Sequence, residues 1–168
     1  MSLAHGNMKA GFIGLGAMGE PMARNLAAKG LLSAVWNRTE AKAAALAREL
    51  GVNLASSPAN LAERAAVILL SVSADAAVLA VVRSLLPALQ PGQVVIDLST
   101  VSRATAEEAA RLIRAAGADF LDAPVTGGLE GARQASLGIM VGGAAATLEQ
   151  VRPILEAIGR QILEHGAA

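Results

Sequence analysis

Four clusters along this 168-residue chain combine residue types that can grip a small anionic or polar ligand. The first is Gly14-Leu15-Gly16-Ala17-Met18-Gly19, a G-x-G-x-x-G turn. The others are Asn37-Arg38-Thr39, Asp97-Leu98-Ser99-Thr100 and the run Asp122 to Gly128. In the first, Gly14 permits a tight turn and Gly16 leaves bare backbone for a pyrophosphate. Gly19 lets a helix pack closely on the preceding strand. Leu15, Ala17 and Met18 complete the phosphate-facing backbone. The helix that follows offers unpaired N–H groups and a partial positive charge. Such a motif alone also occurs as a plain turn. Here an apolar run, Ala10 to Ile13, precedes it and an amphipathic stretch follows as far as Gly30, which favours dinucleotide binding.

The second cluster bears on which dinucleotide. An NAD-type site places a carboxylate at the end of the second strand, about 20 residues beyond the glycines, to bind the ribose 2′-OH. That place holds Asn37-Arg38-Thr39, and no carboxylate precedes Glu40. Arg38 suits a bidentate pair with a 2′-phosphate, and Asn37 and Thr39 can add hydrogen bonds. The expected cofactor is therefore NADP(H), with NAD(H) as the alternative. The bland reading is a solvated Arg38 flanked by two helix caps.

The elements that must position these clusters alternate. Strands are expected at Ala10–Ile13, Leu31–Trp36, Val52–Ala55, Ala66–Val72, Gln93–Leu98 and Ala118–Ala123. The run Ala66–Val72 is continuously apolar, as suits a parallel strand buried on both faces. Between them lie helices: Glu40–Leu50 with Gly51 as its stop, a short one capped by Ser57 with Pro58 at N1, Ala74–Leu89 fraying at Pro87, and one from the Ser102 cap to Ala116. The alternation predicts an α/β fold of the Rossmann type, a doubly wound, mostly parallel sheet with helices on both faces. Right-handed crossovers then bring Gly14, Asn37, Ser71–Ser73, Asp97–Thr100 and Asp122–Thr126 to one sheet edge, where ligands of such folds bind. Val72 and Ser73 join the expected cofactor residues on that ground, although these polar clusters also serve as helix caps. In the last third, a Gly-rich segment leads to a strand at Leu137–Gly143, a helix at Ala144–Gly159 and a short final strand at Gln161–Leu163.

Composition excludes several classes. Fourteen basic and fourteen acidic residues give zero formal charge, which argues against a dominant electrostatic footprint for nucleic acid. Cysteine is absent, which rules out disulfides and thiolate metal sites; no metal is expected. No apolar run reaches the roughly 20 residues of a bilayer span. Met1–Asn7 lacks the pattern of a signal peptide and reads as a loose leader or an added segment, with Met8 the expected native start. A cytoplasmic protein with residues 8–165 as its nucleotide domain is expected.

Taken together, the clusters resemble the β-hydroxyacid dehydrogenases, the family of 3-hydroxyisobutyrate dehydrogenase, tartronate semialdehyde reductase and glyoxylate/succinic semialdehyde reductase, with 6-phosphogluconate dehydrogenase as a more distant member. Gly11–Leu26 (GFIGLGAMGEPMARNL) resembles the family's opening, Asp97–Thr100 its D-x-S-T loop, Asp122–Gly128 (DAPVTGG) its substrate loop, and Ile139–Gly143 the strand after it. The resemblance spans nearly the whole chain from Met8. It implies that Thr100 meets the nicotinamide end and that Thr126, Gly127 and Gly128 hold a substrate carboxylate. A hydroxyl with successive glycine N–H groups can form such an anion-binding concavity. Thr126 departs from the commoner Ser, and Ala135 stands where many relatives have Gly.

The resemblance also implies a lysine that moves the proton during hydride transfer, in a K-L-x-x-N-x motif on a helix entering an all-helical second domain. The lysines of this chain, Lys9, Lys29 and Lys42, do not match it. No catalytic residue is assigned here; the lysine is expected downstream, outside a chain that reads as the cofactor domain alone. His165 is the only histidine after the leader and is expected to be a solvated terminal residue. The activity implied is NADP-dependent interconversion of a short β-hydroxy acid and its semialdehyde, by a homo-oligomer when full length. A non-catalytic nucleotide-binding or interaction module and, less strongly, an imine reductase are the alternatives.

Overall fold

The computed structural model describes residues 8–166, so the expected leader at residues 1–7 lies outside the described residues. The apolar run before the glycine turn forms β1 (Ala10–Ile13), and the amphipathic stretch behind it forms α1 (Gly19–Ala28). Then come β2 (Leu32–Trp36), α2 (Glu40–Leu50), β3 (Asn53–Leu54) and α3 (Pro58–Ala62). β4 (Val67–Leu70), α4 (Asp75–Leu85), β5 (Val94–Asp97), α5 (Arg103–Ala115) and β6 (Asp119–Asp122) continue the alternation. These strands form one parallel six-stranded sheet in the order β3-β2-β1-β4-β5-β6. The winding reverses between β1 and β4, which opens a crevice at their carboxyl ends.

Burial explains the sheet. Every residue of β1, β4 and β5 is buried, as apolar runs require, with Asp97 at the end of β5 the one charged residue among them. Phe12, Leu69 and Ile96 stand in register and pack with Met22, Leu26 and Leu46 from α1 and α2. Their neighbours Ile13, Ile68 and Val95 point the other way and pack with Leu61, Val78 and Ile113 from α3, α4 and α5. Helices therefore cover both faces.

Local signals act where the sequence placed them. The Ser57 hydroxyl accepts from Asn60 N–H at 3.0 Å, and the Ser102 hydroxyl from Thr105 N–H at 3.2 Å. Gly51 closes α2 in the left-handed conformation. The helix expected to reach Leu89 ends at Leu85, and a 3-10 turn over Leu86–Ala88 accommodates Pro87.

The last third builds a second sheet and two helices packed into the same core as α1 and α2: β7 (Val125–Thr126), α6 (Gly128–Arg133), β8 (Leu137–Val141), α7 (Ala145–Glu156) and β9 (Gly159–Glu164). β8 pairs antiparallel with β7 and parallel with β9 in a three-stranded sheet. Paired bonds between Asp122 and Gly142 join it to the end of β6. Two boundaries differ from expectation. The final strand has six residues and begins at Gly159, while α7 stops at Glu156. Gly159 reads as a helix stop but allows close strand approach: a Cβ there would crowd Ile139 Cδ1 at 2.7 Å and the Leu137 carbonyl oxygen at 2.8 Å.

Candidate functional site

β1 runs directly into the glycine turn. Gly14 is buried with φ +96°, and its N–H donates to the Trp36 carbonyl at 3.0 Å. A Cβ on Gly14 would overlap the Ser71 carbonyl oxygen, and one on Gly19 would overlap the Gly14 carbonyl oxygen. The fold itself therefore demands both glycines. Gly16 is different: it lacks a left-handed φ, and an added Cβ would meet nothing within 4 Å. Nothing in the protein requires glycine there, so the open space in front of it suits an incoming ligand. α1 starts at this space without a side-chain cap; Glu20 N–H donates to the Gly16 carbonyl at 3.0 Å and Pro21 has no N–H, which leaves the Gly19 N–H of the first three helical residues for a ligand.

A cleft of about 600 Å³ opens over the turn, in the size range of ligand sites. Gly14, Gly16, Ala17, Met18, Gly19, Asn37, Arg38, Val72, Ser73 and Thr100 line it, together with Ser71, Leu98, Ser99 and Val125. A second cleft of about 660 Å³ shares Gly14, Asn37, Arg38 and Val72 and adds the apolar walls Trp36, Ala76, Ala80 and Val81. Two sequence-predicted residues stand apart. The Leu15 side chain is fully buried, so only its backbone faces the turn; Thr39 lines neither cleft.

The end of β2 divides its tasks. Asn37 Oδ1 accepts from Leu15 N–H at 2.9 Å, and its amide donates to the Thr39 carbonyl at 3.1 Å. Asn37 thus braces the glycine turn, a role no local pattern announced. Thr39 occupies the N-cap of α2 without a side-chain cap bond. Arg38 is exposed and, among the described residues, makes no ion pair.

At the ends of β4 and β5, Ser99 Oγ accepts from Val72 N–H at 2.9 Å and ties the two loops together. Asp97 Oδ1 accepts from Ser99 N–H at 2.9 Å, while Oδ2 is buried without a partner. Burial pushes the Asp97 carboxyl up to about 6, with the charges of Asp122 and Asp75 adding and the Ser99 hydrogen bonds opposing. Its in-register neighbour Asp122 is also raised by burial, opposed by His165. His165 is exposed, and its N–H donates to the Val141 carbonyl.

Thr126, Gly127 and Gly128 are exposed and lie beyond Val125, where the first cleft ends. Gly127 and Gly128 have φ of +126° and +64°, and Gly128 opens α6. α6 is anchored by Asn25 of α1, whose amide donates to the Ala132 carbonyl at 2.7 Å and the Arg133 carbonyl at 3.4 Å. This residue was missed, because a single polar helix residue bonding 107 positions away leaves no sequence pattern. Ala135 has φ +55°, which accounts for glycine being the easier residue there. None of Lys9, Lys29 and Lys42 lines either cleft; Lys42 lies 3.5 Å from Glu20 Oε1. Among the described residues there is no metal-binding cluster, and no helix is long and apolar enough to cross a membrane.

A parallel sheet with a glycine turn at its switch point, an uncapped helix N-terminus and a cleft above it defines a dinucleotide-binding domain. Residues 9–166 match the family described as the NAD binding domain of 6-phosphogluconate dehydrogenase, and the chain belongs to that family. It is 36% identical over 163 residues to 2-(hydroxymethyl)glutarate dehydrogenase of Eubacterium barkeri, covering 95% of this chain and 54% of the relative. A solved structure of Mycobacterium tuberculosis 3-hydroxyisobutyrate dehydrogenase with L-serine superposes with TM-score 0.91 at 35% identity, over 96% of this chain and 55% of that one. An imine reductase from Myxococcus stipitatus, solved with NADP+, superposes with TM-score 0.85 at 28% identity, over 94% and 55%. The chain spans about half the length of the curated relatives it matches.

Proposed function

We propose that this chain is the NADP(H)-binding half of an oxidoreductase that interconverts a short β-hydroxy acid and its semialdehyde. The observation that carries the nucleotide part is Gly16, a glycine with room for a side chain that the fold does not need. The exposed Arg38 at the lip of both clefts supports a 2′-phosphate, and Glu40, the next carboxylate, comes only at the start of α2. Trp36, Ala76, Ala80 and Val81 offer apolar walls for an adenine ring.

In this scheme the bound cofactor supplies the hydride chemistry. The protein's own residues bind and orient. The backbone of Gly16–Met18 and the start of α1 hold the pyrophosphate, the Leu15 N–H being already given to Asn37 Oδ1. Arg38, with Thr39, holds the 2′-phosphate, while Asn37 keeps the turn in place. Val72, Ser73 and Thr100 border the redox end. The Thr126 hydroxyl and the N–H groups of Gly127 and Gly128 hold the substrate carboxylate. The proton-transferring lysine is assigned to the second half present in the longer relatives.

The substrate class draws on those relatives: 2-(hydroxymethyl)glutarate, 3-hydroxyisobutyrate and L-serine all carry a hydroxyl β to a carboxylate. The imine reductase neighbour supports a second reading, reduction of a C=N bond on the same scaffold. Titration of NADPH and NADH into wild type and Arg38→Ala tests the cofactor. The expected result is a loss of about tenfold or more for NADPH alone, the scale of a charge-assisted hydrogen bond. Equal losses for both cofactors would overturn it. A panel of semialdehydes and cyclic imines, reduced with NADPH by the full-length protein, separates the two reactions.

A further inference from the structure

The wall of the first cleft that carries Ser73 and Thr100 consists of two loops, one after β4 and one after β5, and two ties join them. The inner tie is the bond between Ser99 Oγ and Val72 N–H. The outer tie centres on Asp75, the first residue of α4. Asp75 Oδ2 accepts from the Ser102 backbone N–H at 3.1 Å and from Thr105 Oγ1 at 2.8 Å. Thr105 Oγ1 in turn accepts from Ser102 Oγ at 3.1 Å. A relay thus runs from the Ser102 hydroxyl through the Thr105 hydroxyl to a carboxylate on the neighbouring helix.

We infer that Asp75 is a positioning residue for the redox end of the dinucleotide, holding Thr100 at its place in the cleft wall through Ser102. This rests on the assignment of the cleft to NADP(H). Thr100 sits between the two ties, one residue beyond Ser99 and two before Ser102. Asp75 also stands at the start of both α4 and the thirteen-residue α5, where a carboxylate is favoured by two helix dipoles. The hydrogen bonds from Ser102 and Thr105 hold its carboxyl below the ordinary aspartate range, so it is ionised at neutral pH. The tie is not needed to cap α5, because the Ser102 hydroxyl already accepts from Thr105 N–H. What Asp75 adds is the link across the two loops.

The adenosine half is assigned to Arg38 and the apolar cleft, which shares α4 with Asp75 through Ala76, Ala80 and Val81 but includes no residue of the Ser99–Ser102 loop, so 2′,5′-ADP reads any disturbance of α4 itself and NADPH reads in addition the loop that carries Thr100. The experiment measures affinities of this chain for NADPH and for 2′,5′-ADP, which lacks the nicotinamide ribose. Asp75→Ala is expected to weaken NADPH about tenfold while leaving 2′,5′-ADP within about twofold, the loss of hydrogen bonds to a charged group. Asp75→Asn, which keeps an acceptor oxygen, is expected to recover most of the loss. Should Asp75→Ala not fold, Thr105→Val removes one donor and is expected to shift NADPH in the same direction by a smaller factor. Equal weakening of both ligands, or none of either, overturns the positioning role. Wild type that binds neither ligand overturns the NADP(H) assignment itself.

Discussion

The six-stranded sheet and the three-stranded sheet both end in glycine-rich turns, but the glycines are there for different reasons. At the first turn Gly14 and Gly19 are buried against backbone carbonyls, so that turn has one shape and no slack. At the second, Gly127 and Gly128 are exposed with left-handed backbone, and a Cβ on Gly128 would meet nothing within 4 Å. The second turn is set by backbone conformation and by one side-chain anchor, Asn25, on a helix of six residues. Packing against fixed backbone gives a preformed site; a loosely packed loop can be re-aimed without disturbing a core. The proposed function uses that difference, with a constant cofactor over the large sheet and a variable substrate beside the small one.

Gly14→Ala carries the largest expected effect. Overlap with the Ser71 carbonyl and a left-handed φ together lower stability by about 3 kcal/mol or more, measured by urea unfolding. A loss below about 1 kcal/mol would show that the turn yields and would erase the contrast.

Asp97 sharpens the comparison in the pH dimension, since it lies buried at the rigid end. Its folded-state pKa, about 6, exceeds the ordinary value of 3.8, so folding favours the protonated form. That contribution is fully present below about pH 4 and disappears as pH rises through 6. Relative to Asp97→Asn, wild type should lose roughly 2 kcal/mol between pH 4 and pH 7. Parallel pH profiles for the two proteins would refute the buried charge.

Asn25→Ala probes the anchor between the regions. It should cost about 1 kcal/mol and speed amide exchange in α6 while leaving β1 and β4 protected. Equal acceleration in both sheets would mean that the regions open together. The smallest effect is expected from Ala135→Gly, which relieves a left-handed alanine and should raise stability by up to about 1 kcal/mol. A loss of stability there would show that the unfolded-chain entropy of glycine outweighs the strain.

Much of the large sheet was legible because its information is local. Continuous apolar runs specify β1, β4 and β5, and Ser57-Pro58 and Ser102 mark the starts of α3 and α5. The glycine spacing located the cleft, and most of the residues named for the nucleotide do line it. The small sheet was less legible. β7 has only two residues, and Gly159 carries the signal of a helix stop while serving a strand contact.

The sequence by itself determined the alternation of elements, the polar clusters at the sheet's edge and the family resemblance, because hydrophobic period, capping and turn chemistry act over a few residues. Only the tertiary structure decided which glycine the fold can spare, that Asn37 braces the turn, and that Asn25 and Asp75 tie separate elements together. Those facts depend on which atoms meet across 22 to 107 positions of chain, and such meetings follow from packing rather than from any local pattern.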